Sequence, residues 1–202
     1  MISVLSLAVS FLTAWLTLFR RGTVKMTRPT IIFFTPGAPL PNNRAASPTI
    51  HLRMRLFSTA KRGRVVESMH VALQRNESHH NFNIWVYGEK QKMNRGSGLF
   101  VGEAGISEDH YFLIMDDSLF RFTEGHYSLS VFANIHGMRK PLRLFTQSLD
   151  ISRDLASALE EQGPGVFFDW RPDSSRYLPR VGKRQLAPNA EEMQMALGMN
   201  AH

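Results

Sequence analysis

Cysteine is absent from the 202 residues, which excludes disulfides, thiolate metal sites and a cysteine nucleophile. Also missing are a G-x-x-x-x-G-K-[S/T] loop, a G-x-S-x-G elbow and an H-E-x-x-H pair, the motifs of phosphate-cradling, α/β-hydrolase and zincin chemistry. Gly96, Gly98, Gly102 and Gly105 sit among strands and turns, with no helix to receive a phosphate. No internal repeat or long low-complexity tract occurs. Acidic residues are scarce in one region: residues 20–75 carry eleven Lys/Arg and a single acid, Glu67, while the remainder carries thirteen bases and sixteen acids. The net charge of +7 therefore belongs to one segment. Its natural partners are anionic lipid headgroups or nucleic-acid phosphates, with a solvated basic strand face as the plain alternative.

What is present begins with Ile2 to Phe19, eighteen residues without a charge. About twenty apolar residues cross a bilayer core, so this run is expected to be a slightly short transmembrane helix. Trp15 lies near its end, where aromatic rings favour the headgroup region. A cleaved signal peptide fits less well, because no Lys or Arg precedes the run and no A-x-A-like site follows it. Arg20, Arg21, Lys25 and Arg28 follow it directly, which orients a single-pass protein of the inner or plasma membrane with its bulk in the cytoplasm. Ser6, Ser10 and Ala14 form a small-xxx-small ladder suited to pairing two helices into a homodimer. The rival is a soluble cytoplasmic basic β-domain translated from Met26, which loses the anchor altogether and binds nucleic acid or an acidic partner.

Beyond the anchor, period-two alternation dominates. Its clearest instance is Leu119 to Ala133, where a short apolar segment, the turn Glu124-Gly125 and the alternating strand Tyr127-Leu129-Val131-Ala133 follow one another. Nine or ten such short strands at about ten-residue spacing predict an all-β, antiparallel sandwich. They include Thr30–Thr35, Thr49–Phe57, Val65–Leu73, Phe82–Tyr87, Tyr111–Met115, Leu142–Ile151 and Val166–Trp170. One short helix is expected near the C-terminus, over Ser152–Gln162, with Ser152 as its cap and Gly163-Pro164-Gly165 as its stop. The expected organisation is an anchor over 1–21, a sandwich over 28–178 and a flexible or partly helical tail over 179–202, with a helix over Asn189–Leu197.

The Trp-bearing strand FNIWVY, the L-x-R-F segment and the E-G-x-Y-x-L-x-V corner together resemble the immunoglobulin or fibronectin type III sandwich across about residues 28–151. The resemblance implies a core role for Trp85, a corner role for Tyr127 after Gly125, and a fold that usually serves binding. Two features depart from it: the inter-sheet cysteine pair is missing, and residues 152–170 continue past the point where such a sandwich ends.

The basic segment supplies the candidate binding residues. If residues 49–75 form a hairpin, His51, Arg53 and Arg55 line one outward strand face and Lys61, Arg62 and Arg64 cluster at its turn. An anionic membrane surface or a protein partner fits this arrangement better than nucleic acid, because Phe57 is the only stacking aromatic interleaved with the bases. The loop His79-His80 with Glu77 is the one imaginable metal cluster, and Glu108-Asp109-His110 the one imaginable acid–base group. Neither has the remaining parts of a site, so no metal, no cofactor and no catalytic residue is assigned, and a binding module is expected, with an enzyme using an unrecognised site as the further alternative.

Overall fold

The computed structural model describes residues 2–15, 22–36, 47–88, 93–114, 120–160 and 164–183. Helix α1 spans Ile2–Ala14. The sheet elements begin with β1 (Val24–Met26), β2 (Ile31–Thr35), β3 (Thr49–Ser58) and β4 (Arg64–Arg75). They continue with β5 (Ser78–Phe82), β6 (Ile84–Tyr87), β7 (Asn94–Arg95), β8 (Leu99–Val101) and β9 (Ile106–Leu113). Then come β10 (Gly125–Ile135), β11 (Leu142–Ile151), helix α2 (Arg153–Glu160), β12 (Pro164–Arg171) and β13 (Arg176–Lys183).

These strands build two antiparallel sheets packed face to face, an all-β sandwich architecture. The large sheet runs β13-β12-β2-β3-β9-β6-β7, with β1 also on β3, and the small sheet runs β11-β10-β4-β5, with β8 also on β4. Leu56 pairs with both Met26 and Ile106, so β1 and β2 lie end to end along one side of β3 while β9 takes the other. Pro29, which has no amide hydrogen to give a ladder, stands in the break between β1 and β2.

The core is the space between the sheets. Ile50, Leu52, Met54 and Leu56 face it from β3, Val66, Met69, Val71 and Leu73 from β4, and Tyr127, Leu129, Val131 and Ala133 from β10. Glu67 breaks the apolar alternation in the sequence, and the register explains it. Ile135 pairs with Val66 and Asn134 with Ser68, which leaves Glu67 as the extra residue of a β-bulge and restores the inward face on either side. At the corner, the Tyr127 hydroxyl donates to the Thr123 carbonyl at 2.8 Å and accepts from the Thr123 amide at 3.0 Å. Trp85 is in the core, and its indole N–H donates to His110 Nδ1 at 3.0 Å. Gly125 opens β10 at φ 146°, a backbone region that side chains resist. Helix α2 packs Ala156 and Leu159 inward, and its first turn closes on the Ser152 carbonyl.

Several expectations need correction. Residues 49–75 are not a hairpin: β3 belongs to the large sheet and β4 to the small one, so the chain crosses between layers at residues 59–63. The segment after Asn76, read as a loop, contains β5. The sandwich is longer than 28–178, because Val24–Met26 pairs with Leu56–Ser58 and β13 continues to Lys183. At the N-terminus, no helix among the described residues is long and apolar enough to cross a membrane. Residues 16–19 of the apolar run, Arg20 and Arg21 lie outside the described residues, as do residues 184–202 and the helix expected there. Ser6, Ser10 and Ala14 do fall on α1.

Candidate functional site

The crossing between the sheets gathers charge at one end of the sandwich. The turn after Ser58 holds Lys61 and Arg62, both exposed, and leads through Gly63 into Arg64. Gly63 has φ 65°, and a Cβ there would stand 2.4 Å from Phe100 Cζ, so the tip of the β8 aromatic lies against the basic turn. On the other side of β4, the amide of His136 donates to the Val65 carbonyl at 2.9 Å, and Arg64 Nη2 donates to the His136 carbonyl at 3.4 Å. The β10–β11 turn is thereby fixed beside the β3–β4 turn, and it carries Met138, Arg139 and Lys140 into solvent. Five bases meet here: Lys61, Arg62, Arg64, Arg139 and Lys140. The acids at this end are Glu67 and Glu103, and Glu67 already pairs with His136 Nδ1 at 2.7 Å.

This is also where the sandwich receives the chain from the N-terminal helix. Thr23 and Thr59 bond each other through backbone and hydroxyl groups. Gly22 is pressed on the turn so closely that a Cβ would lie 2.4 Å from Ala60 Cβ. Apolar surface accompanies the charge. Outside the N-terminal apolar run, the large apolar side chains left most exposed among the described residues are Phe100 at 57%, Met138 at 43% and Val181 at 47%. Two of the three stand at the basic end.

The residues singled out from sequence are divided by this geometry. Lys61 and Arg62 belong to the basic end. Arg64 is half-buried and serves it as a brace, holding the neighbouring turn through its bond to His136. Arg53 and Arg55 are exposed on the outer face of the large sheet; Arg55 reaches the Ala104 carbonyl. His51 is not a surface residue: its side chain is 1% exposed, its Nε2 lies 3.1 Å from Asp109 Oδ1, and its ring stacks on Tyr111 at 4.8 Å. The row Phe167, Phe33, His51, Tyr111 and Val86 crosses five strands on that outer face and is buried throughout. Phe33 and Phe167 stack at 4.2 Å within it. His51 thus sits in an aromatic layer that the β3 alternation alone does not disclose.

The electrostatics of the acid–base cluster also separate. Burial alone would raise the Asp109 carboxyl, but the His51 hydrogen bond and the positive charge of His51, Arg53 and His110 outweigh it and leave it below the usual carboxylate range. His110 faces the opposite way, into the core, where burial and then the charge of His51 push it down to about 3 despite Asp109. Adjacent on β9, the two residues work on different faces and share no site. His79 and His80, adjacent on β5, divide in the same manner: they pair with Gln74 and Leu73 of β4, and His80 packs its ring against Phe120. No group of three or more metal-ligating side chains occurs among the described residues. At the opposite end of the small sheet a shallow cleft of about 350 Å³ is bordered by Glu124, His126, Asp150 and Leu155. His126 pairs there with Asp150, both well exposed, and Arg153 with Glu124 at 3.4 Å.

Sequence reasoning missed Phe100, Met138, Arg139 and Lys140. The available signals were small: in Leu99-Phe100-Val101 one of three apolar residues must face outward, and Met138 is an apolar residue in an otherwise polar turn. Comparison with protein families and with curated proteins finds no match to this chain.

Proposed function

We propose that this chain is a membrane-anchored, cytoplasm-facing β-sandwich that works as a binding module, with the apolar run 2–19 seated in a bilayer. The observation that carries this reading is α1 itself. Val4, Leu5, Leu7, Val9, Phe11, Leu12 and Trp15 are each 55–73% exposed, on all sides of the helix. A helix apolar all round has no face suited to water, and lipid is the solvent that fits it. Thirteen helical residues are about 20 Å long, and the full eighteen-residue run would reach about 27 Å as a helix, against a hydrocarbon core of about 30 Å. The bases that follow the run support an orientation with the sandwich on the cytoplasmic side, where positively charged flanks are retained.

Translation from Met26 is the weaker alternative. It would remove Val24, a core residue at 1% exposure, together with the Thr23–Thr59 bonds that close the large sheet beside the turn. Nucleic-acid binding is weakened too, since β3 and β4 carry their bases on separate sheets. Flotation of the full chain with phosphatidylcholine vesicles, resistant to carbonate washing, is the expected result. A chain that stays at the bottom of the gradient, or that carbonate strips away, removes the anchor.

A further inference from the structure

We propose that the basic end of the sandwich is a second membrane contact, a docking surface for anionic lipid headgroups that Phe100 and Met138 enter and that Lys61, Arg62, Arg139 and Lys140 hold. The inference rests on the anchored reading and adds to it a surface, a lipid class and a direction. Three observations converge. The bases at this end outnumber the acids, and Glu67 is occupied by His136, so the surface offers net positive charge to its partner. Phe100 and Met138 are exposed amid those bases, the combination of apolar tips and cationic rim that suits a headgroup boundary. The chain also enters the fold at Gly22, against the same turn, so a bilayer holding the N-terminal run lies on this side of the sandwich. An apolar anchor alone would bind every bilayer alike. The basic end makes the sandwich sensitive to what the bilayer is made of, with each base strengthening attraction to an anionic surface about fivefold.

Because the chain has no cysteine, a single introduced thiol carries an environment-sensitive probe without further change. The full chain is labelled at Met138→Cys or, as a control, at His79→Cys, whose partner Gln74 lies ten residues along β4 from Arg64, roughly 33 Å away. Each is mixed with vesicles of phosphatidylcholine alone or with added phosphatidylserine, both doped with spin-labelled lipid. The expected result is strong quenching at position 138 with phosphatidylserine, several-fold weaker quenching without it, and none at position 79. Replacing Lys61, Arg62, Arg139 and Lys140 together by Ser should bring quenching at 138 down to the phosphatidylcholine level while flotation is unchanged. Phe100→Ser should weaken the quenching by itself. A floating chain whose position 138 is unquenched, or equally quenched in both vesicles, overturns the docking surface and leaves the anchor standing. A chain that fails to float with phosphatidylcholine removes the anchor, and position 138 still reports on the basic end with phosphatidylserine. Four-base-dependent binding of single-stranded DNA without lipid quenching would overturn the assignment in favour of nucleic acid.

Discussion

The two sheets share one core and differ on their outer faces. The small sheet shows water Ser128, Ser130 and Asn134 from β10, with Phe132 half-covered beside His70, and Arg143, Thr146, Ser148 and Asp150 from β11. The large sheet carries the buried row of Phe167, Phe33, His51, Tyr111 and Val86 in the same position. One sheet is therefore wet on one side, and the other is dry on both along that row. The same residue types consequently mean different things on each: a histidine on the small sheet's outer face is half-exposed His70, and one on the large sheet's outer face is enclosed His51.

Truncating the dry face is the most severe way to test this difference. Phe33→Ala should cost about 3–5 kcal/mol in chemical unfolding, as much as an inner-face truncation such as Tyr127→Ala, and Phe132→Ala should cost less than half of that. Equal losses at Phe33 and Phe132 would erase the distinction between the faces.

A titration separates the interior from both faces. His110 is neutral in the fold down to about pH 3, whereas in the unfolded chain it takes up a proton below about pH 6.5. The unfolded state binds the extra proton, so stability should fall as pH drops from about 6.5 toward about 3, by at most about 1.4 kcal/mol per unit, and this contribution should level off below. Asp109 adds a loss in the same direction at lower pH, since its depressed carboxyl stabilises the fold only while ionised. His110→Gln, which keeps an acceptor for Trp85, should flatten the upper part of the slope. An unchanged slope would place the responsible group elsewhere.

The smallest contrast uses polar residues. His51→Ala takes the hydrogen-bonding partner from a largely covered Asp109 and should cost about 1–3 kcal/mol, while Ser130→Ala on the wet face should stay within about 0.5 kcal/mol. Comparable values for the two would mean that the His51–Asp109 contact does not stabilise the fold.

The wet face is also why part of the fold is legible in the sequence. From Tyr127 to Ala133 polar and apolar residues alternate because one side meets water and the other meets the core, and that strand, β11, α2 and the two-layer antiparallel architecture follow from such patterns. Along the buried row of the large sheet both sides exclude water, so Ile31–Phe34 and Tyr111–Leu113 are continuous apolar runs whose facing the pattern leaves open. His51 looked outward for that reason: it alternates correctly and does face outward, but onto aromatic neighbours. β5 and β13 were hidden by composition. Ser78-His79-His80-Asn81 reads as a loop, and Pro179 argues against a strand unless the strand lies at an edge, as β13 does. The basic end was half legible. Lys61 and Arg62 are neighbours in sequence, but Phe100, Met138, Arg139 and Lys140 reach them only through the ladders of β4 with β8 and β10.

Gly22 sets how these parts act together. Pinned against Ala60, it fixes the point at which the sandwich is held, and only six residues separate it from Trp15 at the end of the described helix. That length of chain extends to roughly 25 Å at most. With α1 in a bilayer, the basic end never diffuses farther than this from the lipid surface, so its docking becomes an intramolecular event governed by effective concentration rather than by free encounter. Weak individual contacts from lysine and arginine then suffice to hold one orientation, and lengthening the connection should loosen that orientation without altering any contact.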